Sequence, residues 1–168
     1  AYAREVAALF VDELLKNGTT TALVFGTVHA HSADAVFEAA AAKNMRLIAG
    51  KVLMDSNCPE ALRDSAATGY EHSRQLIERW HGKGRLGYAI TPRFALTSSE
   101  AQLEAAGRLA AEYPDVWVHT HLAENHDEVE QIARLFPWSS SYLDVYDRFG
   151  LVRERSVFAP CLHLEDEE

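Results

Sequence analysis

The sequence predicts an α/β fold in which a parallel sheet is joined by helical crossovers. Three observations lead there. Short branched or apolar runs alternate with longer amphipathic runs along the whole chain. Residue types able to do chemistry sit just after the apolar runs, where the carboxyl ends of parallel strands face a binding crevice. No G-x-G-x-x-G or G-x-x-x-x-G-K-[ST] loop follows a strand, which removes the usual nucleotide-binding versions of the open sheet. Two architectures then fit: a doubly wound open sheet, or part of a (β/α)8 barrel.

The elements follow in order. Glu5 to Lys16 carries apolar residues at helical spacing, and Asn17-Gly18 is a helix stop. Thr19 to Val28 is rich in threonine and branched residues and predicts a strand. Ser32 is the expected cap of an alanine-rich helix reaching Lys43. Arg46 to Met54, nearly all apolar, predicts a strand covered on both faces. Asp55 to Pro59 is a loop of turn formers, and one long amphipathic helix is expected from Glu60 to Trp80, closed by Gly82-Lys83-Gly84.

Arg85 to Thr91 is the third strand, ending at Pro92. Ser98-Ser99-Glu100-Ala101 opens a capped helix that runs to Glu112, and Tyr113-Pro114-Asp115 turns the chain. Val116 to Leu122 is the fourth strand; helices over Asp127–Phe136 and Ser141–Phe149 follow, then a last strand over Ser156–Leu162. Tyr142, Tyr146 and Phe149 at helical spacing read as core, and the acidic end Glu165–Glu168 as a solvated tail or the start of a helix.

Size and composition restrict function. The 168 residues, 48% hydrophobic, suit one domain with a real core, taken as residues 1–168. A net charge of -9 argues against a nucleic-acid surface. No apolar run nears the roughly 20 residues that span a bilayer, and no signal segment opens the chain. Cys58 and Cys161 lie far apart with no C-x-x-C pattern, which fits reduced thiols and a cytoplasmic protein.

The stretch His119-Thr120-His121-Leu122-Ala123-Glu124 carries the chemistry. Side chains alternate along a strand, so His119 and His121 share a face, and two imidazoles so placed can chelate one metal. Glu124, just beyond, can move a proton to and from water. The alternative is two hydrogen-bonded structural histidines, with Glu124 capping the next helix. His29-Ala30-His31 is a weaker competitor, lying in a short loop before the helix cap. Arg93-Phe94 offers a planar donor fork beside an aromatic face, or else a surface ion pair and a core plug.

Several of these pieces are familiar together. Gly18-Thr19-Thr20-Thr21, Gly50-Lys51-Val52-Leu53-Met54-Asp55, Ile90-Thr91-Pro92-Arg93-Phe94, Thr120-His121-Leu122-Ala123-Glu124-Asn125 with Asp127-Glu128, and Tyr142-Leu143-Asp144-Val145-Tyr146-Asp147 occur in this order. In that order the chain resembles the guanine deaminases of the amidohydrolase superfamily over essentially its whole length. The resemblance implies about strands two to six of a metal-dependent (β/α)8 barrel that converts guanine and water to xanthine and ammonia. It makes His121 a zinc ligand, Glu124 the proton shuttle, and Arg93 and Phe94 the pair on the purine's polar edge and face. His119 becomes a neighbour, and His29 and His31 fall outside the family's ligand pair.

The same resemblance implies two departures. The strand-one His-x-His pair would precede residue 1 and an aspartate ligand would follow residue 168, so the zinc ligand set is incomplete. Where the family has a histidine at the end of strand six, this chain has Pro160, which cannot ligate a metal; His163 lies close by. The polypeptide by itself is therefore expected to bind zinc weakly, to turn over little or no guanine, and to self-associate through open sheet edges. A deaminase of another heterocyclic base and a non-catalytic α/β domain that keeps the fold are the alternatives.

Overall fold

The computed structural model describes residues 1–164, so the acidic Glu165–Glu168 stretch lies outside the described residues. The elements are α1 (Tyr2–Lys16), β1 (Thr21–Phe25), α2 (Ala30–Ala42), β2 (Arg46–Gly50), β3 (Val52–Leu53), α3 (Ala66–Trp80) and β4 (Leu86–Pro92). They continue as α4 (Glu100–Glu112), β5 (Trp117–Leu122), α5 (His126–Leu135), α6 (Tyr142–Arg148) and β6 (Ser156–Pro160), with short 3-10 turns at Glu60–Leu62 and Ala95–Thr97.

All strand pairs are parallel, and the order across the sheet is β1-β2-β4-β5-β6, with β3 pairing to β4. Strand order therefore follows chain order. A doubly wound sheet reverses its order at a switch point, and no reversal occurs among the described strands. The sheet is instead the curled arc of a barrel, with helical connections between neighbours. Every residue of β4 is buried, as a central parallel strand covered on both faces requires.

Three expectations are corrected, each for a local reason. The second helix begins at Ala30 with His29 at its cap, so Ser32 lies inside the first turn and caps nothing. The strand expected over Arg46–Met54 is interrupted at Lys51, whose backbone N–H donates to the Tyr88 hydroxyl at 3.2 Å. Gly50 permits the close approach just before this break, since a Cβ there would stand 1.8 Å from the Ala89 carbonyl oxygen.

The long helix expected from Glu60 is a 3-10 turn followed by a fresh helix start. Ser65 caps α3: its hydroxyl accepts the Thr68 N–H at 3.1 Å, and Thr68 Oγ1 accepts the Ser65 N–H at 3.1 Å. The cause lies one residue earlier. Asp64 is drawn out of helical register to pair with Lys51, side chains 10% and 3% exposed. Burial alone would raise the Asp64 carboxyl, but the Lys51 ammonium and the Thr68 hydroxyl hold it below the usual range. Such a buried pair contributes mainly by staying intact, because losing one partner costs about 3–5 kcal/mol.

Asp55 plays a matching role at the end of the same segment. Its carboxylate accepts the Ser99 N–H at 2.7 Å and the Ser99 hydroxyl at 2.6 Å. Ser99 in turn caps α4 through the Gln102 N–H at 3.1 Å. The Lys51-to-Asp55 stretch is thus a brace from β2 to the start of α3 and to the start of α4. It also holds β4 at its mouth, where the Arg93 N–H donates to the Leu53 carbonyl at 2.9 Å.

Candidate active site

The carboxyl ends of β4 and β5 meet at Arg93 and His121. The Arg93 carbonyl accepts the His121 backbone N–H at 3.2 Å and lies 2.8 Å from the His121 ring Nδ1. A carbonyl can only accept, so Nδ1 carries the hydrogen, and Nε2 of the neutral ring keeps its lone pair. One backbone oxygen therefore fixes both the strand spacing and the tautomer. An imidazole held this way can bind a metal through Nε2.

Aromatic rings complete the cluster. Phe25, at the end of β1, meets His121 edge-on with centroids 4.5 Å apart, and Phe94 does so at 6.3 Å. The Arg93 guanidinium lies 4.7 Å from the Phe94 ring centre, so cation and aromatic face form one surface. The structure thus brings Arg93, Phe94 and His121 together. Phe25 was not among the sequence candidates; a phenyl at a strand end carries no signal until the sheet curls β1 toward β5.

His119 shares the His121 face, as strand alternation predicts, and packs edge-on against Phe25 at 5.2 Å. Its Nδ1 is buried with no hydrogen-bond partner among the described residues. Burial first, and then the neighbouring His121, pushes its pKa down from 6.5 to about 4. It is a neutral neighbour at ordinary pH. Because the folded value lies below the unfolded one, this stability is present above about pH 6.5 and is lost as pH falls through about 4. His119→Gln is expected to flatten the fall of the urea midpoint across that window. An unchanged slope contradicts the assignment.

Glu124 stands apart from this cluster. The turn after β5 passes through Ala123, which is fully buried and holds a left-handed φ of 50°, a conformation that costs an L-residue about 1–2 kcal/mol. The turn that follows β6 clamps this one: Leu162 and His163 donate backbone N–H groups to the Ala123 carbonyl at 3.0 and 3.1 Å. Asn125, not Glu124, caps α5, accepting the Glu128 N–H at 2.9 Å. Glu124 is left exposed at the mouth, without a hydrogen-bond or ionic partner among the described residues.

The remaining histidines do not join His121. His29 and His31 stack at 5.3 Å and line a different cavity with Lys51, Arg63, Asp64 and His72. The His163 ring packs on His126 at 3.9 Å. Pro160 pairs in register with Leu122 on β5 and offers no lone pair of its own. Among the described residues no group of three or more His, Cys, Asp or Glu side chains could hold a metal ion. The residues present do not fit a catalytic zinc, which takes about three protein ligands.

A model of the amidohydrolase family matches residues 1–168. The chain belongs to the amidohydrolase family. Among family members, the guanine deaminase of Escherichia coli K12 is 60% identical over 99% of this chain and 38% of its own length. A probable guanine deaminase of Deinococcus radiodurans is 46% identical over the full chain and 38% of its own length. The chain therefore spans about 38% of these amidohydrolase relatives. The solved E. coli guanine deaminase superposes with a TM-score of 0.98 over 99% of this chain and 38% of that one. A C. acetobutylicum guanine deaminase solved with guanine in its active site gives 0.94 at 32% identity, over 99% of this chain and 40% of that one. The amidohydrolase barrel is thus the fold of this arc. No helix of the described residues is long and apolar enough to cross a membrane.

Proposed function

We propose that this chain is the central segment of a guanine deaminase, cytoplasmic and zinc-dependent as a whole barrel, which turns guanine and water into xanthine and ammonia. The observation that supports it most is the Arg93 guanidinium stacked on Phe94, whose ring meets His121, in a chain 60% identical to a guanine deaminase. In this reading the Arg93 guanidinium donates to the purine's polar edge while Phe94 covers its face. Glu124 takes one proton from the attacking water and gives it to the ring nitrogen, then takes the second from the new hydroxyl and gives it to the amine, so that the carbon–nitrogen bond breaks, ammonia leaves and the carbonyl forms. His121 is the one metal ligand this segment supplies, through Nε2. Other strands of a whole barrel would have to complete the set, and Pro160 adds nothing to it.

Substrate preference tests the reading. Residues 1–168 are grafted in place of the matching segment of the E. coli guanine deaminase, with Pro160→His, and ammonia release is measured from guanine, adenine and cytosine. Guanine is expected to be preferred, and Arg93→Ala to lower its kcat/KM by about 10–100-fold, the cost of one charge-assisted donor pair. Equal turnover of adenine, or indifference to Arg93→Ala, contradicts it. Self-association of the chain made alone belongs to the same proposal, supported by Tyr2 and Leu9, 80% and 62% exposed on α1, which packs on α2, and by β1 standing at the edge of the sheet. A monomer in sedimentation contradicts that part.

A further inference from the structure

Tyr146 reads in the sequence as a core aromatic, and it is fully buried on α6, stacked on Tyr142 with centroids 5.7 Å apart and tilted on Phe158 at 5.6 Å. A phenylalanine would fill that volume without bringing a polar atom into the core. The hydroxyl is nevertheless fully used. It accepts the Ala95 backbone N–H at 2.9 Å and donates to the His121 carbonyl at 2.8 Å, with Thr120 Oγ1 at 3.2 Å.

These bonds close a circuit around the candidate site. Ala95 directly follows Arg93-Phe94, and His121 already donates from ring and backbone to the Arg93 carbonyl. One buried oxygen therefore ties the segment that presents the cation–aromatic pair to the strand end that presents the imidazole. Burial pushes the phenol up to about 12, so the donated proton stays in place at neutral pH.

We propose that Tyr146 is a positioning residue: its hydroxyl, acting on the backbone at Ala95 and His121, holds Arg93-Phe94 and the His121 ring in mutual register. The use of that register as a guanine site rests on the proposed function; the clamp itself does not. Tyr146 touches no reacting atom.

The test uses the 168-residue chain, nitrogen-15 labelled, as wild type, Tyr146→Phe and Tyr142→Phe. Long-range proton–nitrogen spectra read the His121 tautomer, and hydrogen exchange reads the Ala95 amide. Tyr146→Phe is expected to speed Ala95 exchange by about tenfold and to lower the Nδ1–H share of His121. Tyr142→Phe, which perturbs the same core, leaves both as in wild type. A His121 tautomer unmoved by Tyr146→Phe overturns the proposal. Should Tyr146→Phe not fold, wild type decides alone: a protected Ala95 amide with an Nδ1–H His121 supports the clamp, and fast Ala95 exchange or an Nε2–H ring overturns it. No guanine enters this experiment, so a failed ammonia assay sinks the deaminase reading and leaves the clamp standing, and the converse holds.

Discussion

Pro160→His, made in the chimera that carries residues 1–168 within the E. coli guanine deaminase, raises ammonia release from guanine by about 100-fold or more. The resemblance places a histidine at this position, which lies at the end of β6 next to β5. β6 lies beside β5 with His121 opposite Ala159 and Leu122 opposite Pro160, so the backbone at the end of β6 adjoins the strand end that carries His121. Proline contributes neither a lone pair nor a donor there. Its side chain is exposed, so an imidazole can be introduced without creating a cavity or overpacking the core. Equal rates for the two chimeras would show that the end of β6 has no part in the reaction.

Glu124→Gln in the Pro160→His chimera lowers kcat by about 10²–10⁴-fold and leaves KM for guanine nearly unchanged. The amide keeps the shape of the carboxylate and loses its ability to take a proton. Glu124 has no hydrogen-bond or ionic partner among the described residues and lies three positions past His121, on a turn pinned by the backbone at Ala123 and capped by Asn125. That arrangement fixes the base of the side chain and leaves the carboxylate exposed at the mouth, which suits the proposed proton transfers. A rise in KM with kcat intact would make Glu124 a binding residue instead.

Much of the fold was legible in the sequence because local rules and tertiary packing agree there. The Ser98-Ser99 stretch opens α4 with Ser99 as its cap, α6 starts just after Ser141, and the apolar run from Arg46 forms β2, buried from Leu47 to Gly50. Reading fails where a long-range contact overrides a local preference. Ser32 is a good cap by type, yet the chain enters α2 two residues earlier. Glu60 to Trp80 has unbroken helical periodicity, yet the buried Lys51 pulls Asp64 out and forces a new start at Ser65. The site divides in the same way. His121, Arg93 and Phe94 are candidates by residue type at strand ends, and the family resemblance gives them their expected roles. Phe25 and Tyr146 do not, because an aromatic residue at a strand end or on a helix face looks like packing until the curl of the sheet shows what its ring or hydroxyl meets.

The proposed function depends on Arg93, Phe94 and His121, which pack as one surface at the strand ends, receiving a purine together. A crystal structure of the Pro160→His chimera soaked with guanine tests it most directly. The purine ring is expected to lie on Phe94, with its polar edge within hydrogen-bonding reach of the Arg93 guanidinium and Nε2 of His121 turned toward it. Guanine bound elsewhere, or a His121 ring turned to solvent with its Nδ1 released from the Arg93 carbonyl, would contradict it.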